Sequence, residues 1–223
     1  MAGESEHGPL GAMIPAVAEG VEIPPEPPDV GARALLVASR LLCGATVFFF
    51  LAFAFAYFYL RSLNADDMWR PAHVHPSKGL GTAFILCILL SAALSIVAGR
   101  QMKKESPTWV TAAFGGIGLG LIAIALQCIE YTRQHFGPTN GGFASVFCAW
   151  TAFYLIAVLF TMYWLETQVA TEFRARREPA GASHGQDIHE ADRLIAPALN
   201  AAVFYWVFLS GIGLITYVIL YLV

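Results

Sequence analysis

The stretch from Leu41 to Leu60 reads LLCGATVFFFLAFAFAYFYL, and it decides the fold. No acid or base interrupts it. At 1.5 Å of rise per residue, about 20 helical residues cross the ~30 Å hydrocarbon core of a bilayer. Four more stretches of the same kind follow, at 80–99, 108–129, 143–165 and 199–223, again without Asp, Glu, Lys or Arg. They are too long and too uniformly apolar for barrel strands, which run ~10 residues with alternating polarity. The expected fold is an all-α membrane protein, a bundle of five transmembrane helices.

Composition agrees. Of 223 residues, 57% are apolar and 13% charged, against roughly 45–50% and about 25% in soluble domains. Mean hydropathy is +0.60. So few charges cannot cover the surface of a water-soluble fold of this composition. This excludes an ordinary cytosolic enzyme, a disulfide scaffold and a disordered chain. The net charge of −3 offers no basic field for nucleic acid.

The spans define a transmembrane domain, 36–223, preceded by residues 1–35 of different character. The first 32 residues hold six acids, six prolines and no Lys or Arg. A signal peptide needs a basic start and an apolar run, and neither is present. The expectation is a disordered, acidic, Pro-rich cytoplasmic tail; a partner-binding arm is the alternative. Counting Lys and Arg orients the spans. The N-terminal side carries nine (Arg33, Arg40, Arg100, Lys103, Lys104, Arg174, Arg176, Arg177 and Arg193). The other carries four, namely Arg61, Arg70, Lys78 and Arg133. The N-terminus is therefore expected in the cytoplasm and Val223 outside. The fourth helix is expected to run to about Arg177 with a Glu172–Arg176 pair. Asp187 and Glu190 have capping-box spacing for a short surface helix before Pro197.

Candidate chemistry is sparse. None of the histidines (His7, His73, His75, His135, His184 and His189) lies inside a span, so no haem or copper ligand set is available within the bilayer. His73 and His75 form a loop pair with weak metal-binding capacity at most. Cys43, Cys87, Cys128 and Cys148 read as buried apolar fillers, with a Cys128–Cys148 disulfide as the alternative. The deepest ionisable groups, Arg40, Glu130 and Glu166, all sit at span ends. Gln127 and Glu130 share a helix face, with Arg133 three residues on and placed to neutralise Glu130. This pair is either an interfacial ion pair or a patch for a partner subunit or lipid head group. Ser91, Ser95 and Gly99 in the second span, and Ala112, Gly116 and Gly120 in the third, form small-residue stripes at four-residue spacing. The link at 100–107 is short, so these two helices should pack closely. Tyr59, Trp109, Tyr131, Tyr163, Trp164 and Tyr221 fit interfacial belts. No nucleophile–base, phosphate-loop or metalloprotease motif occurs. The residues alone describe a cofactor-free membrane subunit with no catalytic or metal site. A small transporter or scaffold is the alternative, and Gly115, Gly116 and Gly118 are where a broken helix would hide.

The order of short motifs adds to this. Cys43-Gly44-Ala45-Thr46-Val47 leads into an aromatic run ending Tyr57-Phe58-Tyr59-Leu60-Arg61. Leu126-Gln127-Cys128-Ile129-Glu130-Tyr131 closes the third helix. Gly142-Phe143 opens the fourth, which carries Thr151-Ala152-Phe153, and Phe204-Tyr205-Trp206 lies in the last. Over roughly 36–223 this resembles subunit III of haem–copper oxidases, the cytochrome c oxidase subunit III family, in a divergent five-helix bacterial form. Where the family reads T-G-F-H-x-x-H-V, this chain has Thr151-Ala152-Phe153-Tyr154-Leu155-Ile156-Ala157-Val158. Where it reads Y-W-H-F-V-D, this chain has Tyr205-Trp206-Val207-Phe208-Leu209-Ser210. The family's first-helix Glu is replaced at about Ala45 or Thr46. The resemblance implies a non-catalytic accessory subunit of a respiratory terminal oxidase in the bacterial cytoplasmic membrane. Haem and copper would be in the catalytic partner subunit, and phospholipid and other membrane subunits would be neighbours. A structural and lipid-holding role fits the substitutions better than proton uptake. A nitric-oxide-reductase-associated relative is the second possibility. Arg40, Gln127, Glu130, Arg133, Tyr205 and Trp206 are the residues expected to touch lipid or subunit.

Overall fold

The computed structural model of the protein describes residues 28–64, 69–104, 106–175 and 187–223. Among them there is no strand. The elements are α1 (Pro28–Ser62), α2 (Lys78–Lys103), α3 (Trp109–Arg133), α4 (Gly142–Ala175) and α5 (Asp187–Tyr217), which passes into one π turn, Val218–Leu222. Five segments are long and apolar enough to cross a membrane: 33–62, 78–103, 109–133, 142–174 and 197–222. This is a multi-pass membrane bundle. The helical form follows from the solvent. In hydrocarbon every backbone N–H and C=O must be satisfied within the segment, and an α-helix does so.

Most helices outrun the apolar stretches read from the sequence. Arg33 and Arg40 extend α1 at its start, Arg100 and Lys103 extend α2, and Glu166 and Arg174 extend α4. Long charged side chains reach water from there while the backbone stays helical. α3 runs unbroken through Gly115, Gly116 and Gly118, so the interruption a transporter would use is not formed at these glycines. α5 starts at Asp187 and continues through Pro197 rather than ending as a separate surface helix. Proline removes one bond from that ladder, which is tolerated near the end of a span. Arg176, the partner expected for Glu172, and the tail before Pro28 lie outside the described residues, as do the side chains of Asp187 and Glu190 that a capping box would use. The described cysteines are free thiols, Cys128 and Cys148 included.

Around the bundle α1 meets α5, α5 meets α2, α2 meets α3, α3 meets α4 and α4 returns to α1, with α4 and α5 also in contact. The α2–α3 pair is the most intimate, as its short link requires. α1 is the least enclosed: 17% of its most apolar window is buried, against 39–44% in the other four.

The end of α1, the start of α2, the end of α3, the start of α4 and the π turn share one end of the bundle. An aromatic cluster closes it. Trp69 stands edge-on to Tyr57 at 5.2 Å and to Phe143 at 5.9 Å, and Arg70 lies 4.4 Å over the Phe143 ring. The Phe143 amide donates to the Trp69 carbonyl at 2.9 Å, tying the α1–α2 loop to the start of α4. Gly141, at φ 125°, makes the turn into that helix in a region closed to side chains with a Cβ.

Candidate functional site

Two polar systems stand out in the apolar bundle. The first is a seam around Trp206. Its indole Nε1 donates to Ser91 Oγ at 3.2 Å, and Ser91 Oγ donates to the Gly116 carbonyl at 2.5 Å. Ser95 Oγ donates to the Ser91 carbonyl at 2.9 Å. Three helices, α5, α2 and α3, are thus joined through one buried hydroxyl. A Cβ on Gly116 would sit 3.0 Å from Ser95 Oγ and 3.2 Å from the Ser91 carbonyl oxygen. Gly116 therefore provides the close approach that lets Ser91 reach its carbonyl. Gly120 faces elsewhere, against Met162 of α4, and Ala112 lies half-buried at the margin.

Tyr205, next to Trp206, turns to the other side of α5. Its hydroxyl is 3.1 Å from Thr46 Oγ1 on α1. Thr46 and Tyr205 thus form a neutral hydroxyl pair between α1 and α5. Tyr154 of α4 donates to the Leu209 carbonyl of α5 at 3.1 Å. The polar residues at these positions form helix-to-helix bonds.

The second system lies at the aromatic-capped end. Glu130 is 2% exposed, one turn before the end of α3. Tyr221, on the π turn, donates to Glu130 Oε2 at 2.7 Å, and Gln127 Nε2 donates to the same oxygen at 3.1 Å. The π turn fits this role, since such turns rotate a helix end out of its α register. Tyr221 also packs over Gly81, where a Cβ would collide with its ring. Nearby, Tyr217 and Thr82 hydroxyls lie 2.6 Å apart, which fixes α5 to α2 at the same level.

Glu130 Oε1 has no partner and is enclosed. Arg133 does not pair with it. Arg133 is exposed, and Gln127 and Tyr221 supply the carboxylate's bonds instead. Glu130 and Arg133 line a cavity of about 330 Å³ open at this end of the bundle. Ser77, Leu80, Gln134 and Phe136 form part of its wall, and His73, His75 and His135 complete it. Gln134 Nε2 is likewise enclosed without a partner. Among the described residues no three His, Cys, Asp or Glu side chains converge as a metal site.

Of the other residues singled out from the sequence, Arg40 is exposed on α1, apart from both systems, and Glu166 is exposed on α4. Trp109 and Tyr221 are not belt residues: they are 1% and 6% exposed and point into the bundle. Tyr131 turns inward as well, donating to Thr151 Oγ1 at 2.7 Å. Tyr59 and Tyr163 do face outward. The sequence reading missed Tyr221 and Tyr217 as hydrogen-bonding residues, because they stand in an unbroken apolar run.

No family model matches the chain. Among curated proteins it is similar to cytochrome c oxidase subunit 3 of Tachyglossus aculeatus aculeatus, 26% identical over 181 residues, or 78% of this chain and 64% of that protein. The same subunit of Osphranter robustus is 25% identical over the same shares. That of Didelphis virginiana is 28% identical over 119 residues, 51% of this chain and 42% of that protein. The chain spans about 64% of the length of the first two relatives. This five-helix membrane chain is thus similar, at low identity and over most of its length, to cytochrome c oxidase subunit 3.

Proposed function

We propose that this chain is an accessory, cofactor-free subunit of a respiratory haem–copper terminal oxidase, in a bacterial cytoplasmic membrane. The observation that carries the reading is the similarity to cytochrome c oxidase subunit 3 along 78% of the chain. The bundle is consistent with it. The hydrogen-bonded polar side chains of the membrane interior, Ser91, Trp206, Thr46, Tyr205 and Tyr154, bond helix to helix. The catalytic partner subunit would hold haem and copper. Other membrane subunits and phospholipid would cover the apolar flanks, of which the exposed face of α1 is the broadest. The nine-to-four bias in Lys and Arg supports a cytoplasmic N-terminus, with the Glu130 end of the bundle outside.

Deleting the gene tests the assignment. Membranes without the chain should retain a haem–copper spectrum but yield a less stable oxygen-reducing complex. An unaltered complex would contradict the proposal. Orientation is tested by labelling Ser5→Cys and Gly185→Cys from each side of sealed membranes. Both should react from the cytoplasmic side, and reaction from outside would reverse the topology.

A further inference from the structure

One guanidinium fastens the α1–α2 loop to α4. Arg70 Nε donates to the Val74 carbonyl at 3.2 Å, and Arg70 Nη2 lies 3.3 Å from His75 Nδ1. The same group sits 4.4 Å over the Phe143 ring, at the start of α4. Trp69, the preceding residue, stands edge-on to Phe143 and accepts its amide at 2.9 Å. Arg70 therefore bridges the loop and the aromatic cap. A guanidinium has five N–H donors and no acceptor. Its contact with His75 is a hydrogen bond only when Nδ1 offers a lone pair. The imidazole is then neutral, with its proton on Nε2. An imidazolium donates from both nitrogens. Protonation would set one N–H against another and one cation against another.

The groups around His75 are mostly basic. It shares a cavity wall with His73 of the same loop and with Arg133 and His135 at the end of α3. Lys78 opens α2 three residues on, and Arg61, in the last turn of α1, lies over the Tyr57 ring. The acid on that wall is Glu130, 2% exposed and already bonded by Tyr221 and Gln127. The first turn of α4 carries no acid. His75 is exposed, so protons reach it from water. Imidazole is the side chain that changes charge between about pH 5 and 8. Acid would thus add charge where the wall is already basic and remove the acceptor that holds Arg70.

We propose that Arg70 and His75 form a pH-sensitive latch, closed while the imidazole is neutral and released when it gains a proton, that holds the α1–α2 loop against the start of α4. The sign follows from the bond. Protons favour the released form, so the latch closes as pH rises. On release Arg70 keeps the Val74 carbonyl but loses its second anchor and its fixed place over Phe143. Val74, at 0% exposure, still pins the middle of the loop, so the change is local. It weakens the tie between the Trp69 carbonyl and the Phe143 amide. The packing of this end of the bundle thereby follows the acidity of the water it faces. The inference goes beyond the accessory-subunit reading and does not need the oxidase assignment.

The test uses the purified full-length chain with its native partners, in detergent. Amide hydrogen exchange is measured at about pH 5 and about pH 8, each corrected for the intrinsic pH dependence of exchange. Protection of the Phe143 amide should be roughly fivefold lower in acid, the factor for losing one such bond. His75→Gln supplies an amide oxygen that accepts from Arg70 and does not titrate. At this exposed position folding is not at stake, and the substitution should abolish the difference between the two pH values. Arg70→Gln removes the guanidinium and should abolish it too, with protection low throughout. His73→Gln and His135→Gln should each leave the difference in place. Equal protection at both pH values in the unsubstituted chain would overturn the inference. So would a difference that survives His75→Gln or Arg70→Gln, since His73, His135 or Glu130 would then carry it.

Discussion

The Trp206 seam and the Glu130 end are built from the same kinds of groups and differ in closure. In the seam, the indole, the Ser91 hydroxyl and the Gly116 carbonyl form one chain of bonds, and the Ser95 hydroxyl donates to the Ser91 carbonyl beside it. At the Glu130 end, bonds converge on one carboxylate oxygen while the other oxygen and the Gln134 amide are left open. A closed chain in hydrocarbon fixes helices and has no capacity left for a ligand. The other end leaves two enclosed polar atoms without a bond, Glu130 Oε1 and Gln134 Nε2, near the mouth of the bundle. Polar residues inside a membrane are conventionally read as function. Here the deeper ones, Ser91, Trp206, Thr46, Tyr205 and Tyr154, bond helix to helix.

If the seam is architectural, damage to it should exceed damage to the end. Trp206→Ala leaves a cavity at a position with 0% exposure and removes the bond that Ser91 Oγ accepts. It should cost about 3–5 kcal/mol by analogy with soluble cores, read as a loss of thermal stability of the purified chain. Gly116→Leu drives a side chain into Ser95 Oγ and the Ser91 backbone. About 1–3 kcal/mol of overpacking follows, and an unchanged melting temperature would show that α2 and α3 are not in close contact there. Tyr221→Phe removes one interhelical bond to Glu130, worth about 0.6–2 kcal/mol in membranes. It should loosen the end locally, seen as faster amide exchange in the π turn with the seam unaffected. Thr46→Val breaks the bond to Tyr205 while preserving shape, and about 0.6 kcal/mol is expected. A large effect there would mean that the hydroxyl pair does more than join α1 to α5.

How much was legible follows from the same physics. The spans were, because apolar runs of some twenty residues have one stable form in lipid. The Gln127–Glu130 face was, because i,i+3 spacing is local. The rest turned on which way each helix faces. In a soluble helix an apolar stripe marks the buried side. In these spans both sides are apolar, so depth along the helix is readable and rotation about its axis is not. Hence Trp109 and Tyr221 looked like belt residues and turned out to be core. Pairs such as Thr46–Tyr205, 159 residues apart, leave no local pattern. The Arg133–Glu130 pairing was inferred from proximity on one helix; Tyr221, 91 residues from Glu130, takes that place.

The accessory assignment is tested most directly by the visible spectrum of a complex purified from native membranes through a tag on this chain. The account predicts that haem absorbance and oxygen-reducing activity co-purify with the tag, and that the chain expressed alone is colourless. Haem bound stoichiometrically to the lone chain, or a tagged preparation from native membranes that carries no haem protein, would contradict it.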